Sequence, residues 1–284
     1  MKVHIDCFPC FLRQAVIALT HGTEDEALKE RILKGLLPLI YQADVSKPPA
    51  YTTTILHRRI RQALGTDPFK QIKSRYNRIA LGLYPSLKEV ISKSSDPLWT
   101  AARLAIAGNI IDFGIFTSVD IEGAISKALN SPIDVDDYDE FKDAIEDVDE
   151  IFYLIDNAGE IVFDRLLIET LKTMGKRVTA VVKGSPVIND STISDAKEVD
   201  LDRVCPVIDN SSDAVGTILE WTSPSFRKGF NNSPMVISKG QGNFETLYNA
   251  RKKDIYFLFQ AKCDVVSTEL SLPQGAMLLM KGKD

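Results

Sequence analysis

Acidic and amide side chains follow short apolar runs in the second half of this 284-residue chain. Asp156 and Asn157 come directly after the run 151–155, and Asp190 ends the polar segment after the run 178–182. Carboxylate and amide oxygens are hard ligands that suit Mg²⁺, Mn²⁺ and similar divalent ions. Each residue alone is more often a helix cap or a turn residue, but polar groups recur at four successive run ends. We therefore predict a divalent metal site on Asp156, Asn157 and Asp190.

A lysine followed by glycines ends a later apolar run and suits the binding of a phosphate. Lys239 and Gly240 follow the run 235–237, and Gly242 comes two residues later. Glycine permits close approach of backbone amides, and a helix N-terminus attracts anions. A divalent ion beside a phosphate would hold a phosphoryl oxygen and lower the pKa of a water. Because position 158 is alanine, the D-x-D motif of an aspartyl-nucleophile loop is missing, which favours attack by a metal-activated water.

The elements that must position these groups alternate between short runs rich in Val, Ile and aromatic residues and helical segments. This alternation indicates a mostly parallel sheet with flanking helices. The carboxyl ends of parallel strands lie at one edge, where their loops form a ligand crevice. A last run could add an edge strand at 276–280. The five runs before it lie at 151–155, 178–182, 203–208, 235–237 and 255–259.

The first half of the chain has a different periodicity. From Asp6 to about Ile125, apolar residues recur at three- and four-residue steps, which predicts successive amphipathic helices. Prolines are expected where these helices begin or end, at Pro48, Pro49, Pro85 and Pro97. The sequence therefore predicts an α/β protein with an all-helical domain over residues 1–130 and an α/β domain over residues 131–284.

Composition limits the classes of partner. The chain has 39 acidic and 34 basic residues, a net charge of −5, so there is no electrostatic reason to expect a nucleic-acid partner. The first residues do not resemble a signal peptide, and no segment is apolar enough to cross a bilayer. We expect a cytoplasmic protein without a membrane partner, and the sequence does not define its oligomeric state.

Two of the four cysteines form a C-x-x-C motif at the start of the first predicted helix. A helix N-terminus can lower the pKa of a thiol, so Cys7 and Cys10 provide an alternative function in thiol redox chemistry. Together with His4 they could instead take part in metal sensing, although a structural zinc site normally needs four ligands. Packing or helix capping is the third interpretation. The following hundred residues indicate helices rather than the βαβ context of a redox motif.

Longer motifs resemble those of the DUF89 family of metal-dependent damage-control phosphatases. The resemblance covers nearly the whole chain, and the opening C-x-x-C with the segment 107–114 is similar to the cysteine-bearing prokaryotic branch of that family. The blocks most similar to the family motifs are Asp-Asn-Ala-Gly-Glu at 156–160, Lys-Gly-Ser-Pro at 183–186 with Asn-Asp at 189–190, and Lys-Gly-Gln-Gly-Asn-Phe-Glu at 239–245.

This resemblance implies an ARMT1-like fold with a Rossmann-like sheet, and hydrolysis of phosphomonoesters of small metabolites, such as sugar phosphates or damaged phosphometabolites. It implies a divalent ion (Mg, Mn, Co or Ni) on Asp156, Asn157 and Asp190, which act in catalysis together with Glu160. Residues that it assigns to substrate binding are Asn109, Asp112, Lys239, Gly240 and Asn243. Distant relatives are ascribed a carboxyl methyltransferase activity, but the sequence carries no independent motif for S-adenosylmethionine.

Overall fold

Amphipathic helices fill the described part of the first half of the chain, as the periodicity predicts. A computed structural model describes residues 1–110, 121–250, 252 and 254–283, except for the side chains at 109, 110, 121, 122 and 124. The helices are α1 (Cys7–Gly22), α2 (Glu26–Tyr41), α3 (Pro49–Leu64), α4 (Lys70–Lys93), α5 (Pro97–Ile110) and α6 (Ile121–Asn130).

Two of these helices show how local sequence signals act. Pro49 begins α3, and Gly65, whose φ of +68° suits glycine, ends it. The boundary expected at Pro85 is wrong, because this proline lies inside α4. A proline within a helix removes one backbone hydrogen bond, and the buried face of α4, which includes Ala80 and Leu87, packs against the core on both sides of it.

Strands and helices alternate in the second half, which confirms the predicted α/β class. The strands are β1 (Val135–Asp136), β2 (Glu150–Leu154), β3 (Arg177–Val182), β4 (Val207–Asp209), β5 (Met235–Lys239), β6 (Ile255–Gln260) and β7 (Met277–Lys281). The helices are α7 (Tyr138–Asp147), α8 (Glu160–Thr173), α9 (Ile193–Glu198), α10 (Pro224–Asn232), α11 (Gln241–Leu247) and α12 (Asp264–Leu270).

The sheet has the strand order β1-β7-β6-β5-β2-β3-β4. Strands β2 to β6 are parallel to their neighbours, whereas β7 runs antiparallel to β6. The prediction that the last run forms an edge strand is wrong, since β1 pairs with β7 and covers it. Chain order reverses at β2, which has β3 on one side and β5 on the other. The crevice between the carboxyl ends of β2 and β5 is therefore the switch point where such folds bind ligands.

The two faces of the sheet have separate cores. On one face Ile151 and Tyr153 of β2 pack with α4, α5 and α8, and on the other face Phe152 and Leu154 pack with α10, α11 and α12. Apolar side chains of α1, α2 and α3 form a third cluster. The core therefore joins α4 and α5 to the sheet, and the domain boundary near residue 130 stays a prediction. No helix in the described ranges is long and apolar enough to span a bilayer.

Candidate active site

Backbone hydrogen bonds tie the loop after β2 to the loop after β3. Asn157 and Asp190 form an isolated antiparallel bridge. Beside it, the Ala158 N–H donates to the Asn189 carbonyl at 2.8 Å, and the Ser191 N–H donates to the Asp156 carbonyl at 2.8 Å. The structure therefore brings together the three residues that the sequence predicts as metal ligands.

Side-chain contacts orient the acids of this bridge. The Asn157 amide donates to Asp156 Oδ2 at 2.8 Å and to Glu160 Oε2 at 3.3 Å. The ammonium group of Lys183 lies 3.3 Å from Asp190 Oδ2, and it also donates to the Gly216 carbonyl. Asn157 thus links two carboxylates, and Lys183 holds the third.

The electrostatics of the two aspartates favour a bound cation. Their exposed fractions are only 7% for Asp156 and 4% for Asp190. Burial raises the pKa of Asp156 well above its ordinary value, and the negative charges of Glu160 and Asp190 add to this effect. Burial raises the pKa of Asp190 to about 6, although Lys183 acts in the opposite direction. A cation between these carboxylates would remove their repulsion and stabilise the charged forms.

The donor set fits a hard divalent ion. Asp190 Oδ2 is buried, and its ion pair with Lys183 at 3.3 Å leaves it a lone pair for a ligand. No three His, Cys, Asp or Glu side chains of the described residues are grouped so that they could hold a metal. Two carboxylates and one amide oxygen suit an ion that keeps waters and takes a substrate phosphate as a further ligand, as Mg²⁺ does.

Gly240 brings the end of β5 against Asp156. Its φ of +80° is a left-handed conformation that L-residues rarely adopt, and a Cβ there would lie 1.8 Å from Asp156 Oδ2. Its own N–H donates to the Leu258 carbonyl at 3.2 Å. Only glycine fits at this position while Asp156 keeps its orientation.

Lys239 lies behind the site rather than in its wall. Its side chain has an exposed fraction of 0%, and the ammonium group donates to Glu160 Oε1 at 2.6 Å and to Asp164 Oδ1 at 2.7 Å. Its third donor contacts the Ala105 carbonyl at 2.8 Å. Burial opposes this charge, but Asp164 and Glu160 raise the pKa of Lys239 above its ordinary value. These contacts assign Lys239 to the positioning of Glu160, while its role towards substrate stays a prediction.

The other predicted substrate residues have different positions. Asn243 is buried, where its amide donates to the Lys239 carbonyl at 2.8 Å and accepts a hydrogen bond from Thr217 Oγ1 at 2.7 Å. Asn109 lies in α5, but its side chain is not among those described, and Asp112 lies outside the described residues. Gly108 explains why α5 approaches this region closely, since a Cβ there would lie 3.2 Å from Glu160 Cγ.

A cavity of about 780 Å³ opens over the predicted ligands. This volume is within the range of small-molecule sites in proteins, about 300–1,000 Å³. Its sheet side includes Asp156, Asn157, Asn189 and Asp190. Helices α1 and α3 contribute Cys7, Cys10, Arg13, Gln14, Thr53 and His57, and Lys262 and Cys263 follow β6.

Sequence reasoning missed the two lysines nearest to the aspartates. Lys262 lies close enough to Asp156 to lower the pKa of that carboxyl. It comes two residues after β6. The expectation that polar residues after a strand form the site therefore also applies to Lys262, which follows the run 255–259. Lys183 lies within one of the recognised motifs, but its contact with Asp190 depends on the loop geometry.

Cys7 and Cys10 line the same cavity, together with Cys263 from the far end of the chain. All are free thiols. Burial raises the pKa of each of the three, and the charge of Glu245 acts in the same direction. Reactive thiols have lowered pKa values, so these surroundings do not favour the redox interpretation.

The fold and the site define an α/β protein with buried aspartates beside a cavity at the switch point of its sheet. The sequence profile of the damage-control phosphatase ARMT1-like domain matches residues 3–278. The chain is 32% identical to a damage-control phosphatase from Pyrococcus horikoshii, over 100% of this chain and 99% of that protein. It is 30% identical to a damage-control phosphatase from Archaeoglobus fulgidus, over 98% of each chain.

Two further comparisons cover nearly the whole length or all of it. An uncharacterised protein from Methanocaldococcus jannaschii is 36% identical over 99% of this chain and 96% of its own length. The crystal structure of a DUF89 family protein from Pyrococcus horikoshii superposes with a TM-score of 0.91 at 32% identity, and the match covers 100% of both chains. The chain therefore belongs to the DUF89 family with the ARMT1-like domain, and the names of its relatives support a phosphatase role in this family.

Proposed function

We propose that this protein is a metal-dependent phosphatase that hydrolyses phosphomonoesters of small metabolites. The observation that carries the proposal is the buried pair Asp156 and Asp190, joined through Asn157 at the wall of a cavity large enough for such a substrate. Two buried carboxylates repel each other because water does not screen their charges, so they favour a bound cation. Their oxygens suit a hard divalent ion. Family membership supports the same chemistry.

In the proposed mechanism Asp156, Asn157 and Asp190 would hold Mg²⁺, Mn²⁺, Co²⁺ or Ni²⁺. When bound, the ion supplies charge neutralisation at the phosphoryl group and lowers the pKa of a water. Asp156 or Glu160 accepts the proton of the attacking water.

Lysines support these acids in the proposal. Lys239 holds Glu160 through its hydrogen bond of 2.6 Å, and Lys183 holds Asp190. Lys262, which lines the cavity near Asp156, places a positive charge where a phosphoryl group would bind.

The test is metal-dependent release of phosphate by purified protein from a panel of phosphorylated metabolites, with each of the four ions. Asp156→Asn and Asp190→Asn should each lower kcat/KM on the order of 100-fold or more, since each removes a charged ligand. The matched control is Asp209→Asn. Asp209 also ends a strand, but it is exposed and bonds to Ser211, so we expect turnover close to that of the wild type. Full activity in either cavity variant would contradict the proposal.

The thiol alternative predicts a different pattern. A Cys7→Ala, Cys10→Ala double variant should retain phosphate release if the carboxylates carry the reaction. Loss of thiol–disulfide or metal-sensing activity in this variant, with no phosphate release by the wild type, would favour the alternative instead. Folding of the double variant is checked by circular dichroism, because Cys7 is buried.

A further inference from the structure

Two polar atoms in the helical part of the cavity wall have no hydrogen-bond partner among the described residues. They are Oε1 of Gln14 on α1 and Nε2 of His57 on α3, both buried and both without a hydrogen bond from any described residue. The whole side chain of His57 has an exposed fraction of 2%. A buried polar atom without a hydrogen bond is destabilising, so such atoms mark places where a ligand or a water binds.

Both residues belong to the part of the wall that the helices contribute. His57 and Thr53 are one turn apart on α3, so they lie on the same face of that helix, and both line the cavity with Gln14. The amide nitrogen of Gln14 is already engaged, since it contacts Cys10 Sγ at 3.5 Å. The free atoms therefore lie in the same cavity as the carboxylates but on different elements.

These groups are neutral at physiological pH. Burial lowers the pKa of His57 to about 3, and the nearby charge of Arg61 lowers it further. A glutamine amide carries no charge at any pH. Neutral donors and acceptors discriminate hydroxyl groups by hydrogen bonding, whereas phosphates and carboxylates bind preferentially to cations.

A role as metal ligand does not fit His57. The described residues contain no group of three His, Cys, Asp or Glu side chains that could hold a metal, although Asp156 and Asp190 line the same cavity. The ring of His57 instead packs against Phe69, with 6.1 Å between ring centroids. Phe69 is buried and covers one side of the imidazole, and Nε2 at the ring edge lacks a hydrogen bond from the described residues.

We propose that Gln14 and His57 form a specificity subsite that hydrogen-bonds a hydroxyl group on the leaving group of the phosphate ester. The subsite rests on the proposed phosphatase function and deepens it, because it assigns recognition of the organic part of the substrate to α1 and α3. A site built to bond a hydroxyl discriminates strongly against an analogue that lacks one, since its own polar atoms then stay unpaired.

The experiment compares kcat/KM for glucose 6-phosphate, which bears hydroxyls, and phenyl phosphate, which has none, with Mn²⁺. His57→Phe should lower kcat/KM for glucose 6-phosphate by about 10- to 100-fold. The fold decrease for phenyl phosphate should be at least ten times smaller. The matched control is His21→Phe, because His21 also packs on Phe69, at 5.7 Å, but does not line the cavity. His57→Gln, which keeps a polar amide, should restore part of the selectivity.

The outcomes separate this inference from the function on which it rests. If His57→Phe leaves the ratio of kcat/KM for the two esters unchanged, the subsite is overturned while the phosphatase function stands. If His57→Phe does not fold, Gln14→Leu provides the same comparison. If the wild type releases phosphate from neither ester nor any member of the metabolite panel, the proposed function fails. The imidazole ¹⁵N shifts of the wild type then decide the subsite, and no change at His57 on addition of glucose 6-phosphate would overturn it too.

Discussion

The ammonium group of Lys239 lies between the carboxylates of Glu160 and Asp164 in the interior of the protein. Removing one partner of a buried ion pair leaves the other charge without compensation. Lys239→Met should therefore lower the free energy of unfolding by about 3–5 kcal/mol. Urea denaturation at pH 7 without added metal measures this change.

Asp164 provides the control for that variant. Burial raises its pKa to about 7 against the opposing effect of Lys239, and Tyr153 donates a hydrogen bond to it at 2.8 Å. Adding Asp164→Asn to Lys239→Met removes one uncompensated charge, so the double variant should recover part of the lost stability. A double variant less stable than Lys239→Met would contradict the assignment of Lys239 as the partner of these acids.

Glu245 supplies a prediction of pH dependence. It lines the cavity and accepts a hydrogen bond from Gln241 at 2.8 Å, while burial raises its pKa from 4.5 to about 7. The folded state thus binds this proton more tightly than the unfolded state. Its contribution to stability is present below pH 4.5 and is lost as the pH rises through about 7.

Glu245→Gln keeps the shape of the side chain and removes its titration. At pH 8 the variant should be more stable than the wild type, because it lacks the buried charge of Glu245. The gain should be on the order of 1 kcal/mol, since contact with solvent through the cavity reduces the cost of that charge. Any difference in stability between the two proteins at pH 4.5 comes from the substitution itself, and the difference should increase as the pH rises to 8. Thermal unfolding between pH 4.5 and pH 8 checks this, and a difference that does not grow with pH would contradict it.

The side-chain direction of Lys239 shows what the sequence leaves open at the residue scale. Side chains alternate between the two faces of a strand, so Lys239 shares a face with Met235 and Ile237 of β5. That face packs against α5 and α8, which carries Lys239 into the core. The sequence does not show which helices cover which face of the sheet. From its position after the apolar run alone, Lys239 could equally be a residue that binds phosphate. The positions of Asp156 and Asn157 were predictable because they directly follow the run that forms β2, whereas Asp190, eight residues after β3, is positioned by its bridge to Asn157.

At the scale of elements, one side chain of α4 holds the loop that carries the candidate ligands. Asn77 Oδ1 accepts the N–H of Gly159, the residue before α8, at 2.7 Å, and its amide donates to Glu198 at 2.8 Å. Asn77→Ala would leave the buried Gly159 N–H unpaired. We expect a loss of about 1–3 kcal/mol in the free energy of unfolding, measured by urea denaturation.

Ser74→Ala is the matched control for this prediction. Ser74 lies one turn before Asn77 on α4 and also bonds to Glu198, at 2.5 Å, but this contact is exposed and does not reach the loop. Its loss should change stability by less than about 0.5 kcal/mol. Equal effects of the two substitutions would show that the contact with the Gly159 N–H contributes nothing of its own.

Boundaries of elements were predictable where an apolar run coincides with a strand. The run 151–155 corresponds to β2 within one residue, and the run 255–259 corresponds to β6. The run 203–208 forms a strand only at its end, in β4, while its first residue belongs to a short 3-10 turn over residues 201–203. The strand β1 has two residues within an acidic stretch, which is too short for any periodicity to detect.

For the whole molecule, ion binding should be linked to stability. An ion that binds only the folded protein stabilises it by about 2.7 kcal/mol at a concentration one hundred times its Kd. We expect Mn²⁺ to raise the Tm of the wild type in a thermal-shift assay. The shift should disappear in Asp190→Asn, which lacks one ligand, and persist in Asp209→Asn. An equal shift in all three proteins would place the ion elsewhere.

The arrangement of the whole molecule was the least predictable level. The class of fold follows from two periodicities, but the cavity exists only because α1 and α3 dock over the sheet end. That docking depends on contacts such as the ion pairs of Arg58 and Arg61 with Asp213, separated by 155 and 152 residues. Pairings of this range leave no local pattern, so no sequence motif predicts that Gln14 and His57 line the same cavity as the strand-end acids.

The position of β7 has a consequence for biosynthesis. This strand lies between β6 and β1, and the Met277 N–H bonds to the Asp134 carboxylate across 143 residues of chain. On the ribosome, β1 and one edge of β6 therefore stay unpaired until β7 has been translated. An unpaired strand edge promotes association with other chains. Gln274 and Gly275, just before β7, belong to the cavity wall. Until β7 has been translated, the nascent protein is thus exposed to aggregation and lacks a complete pocket.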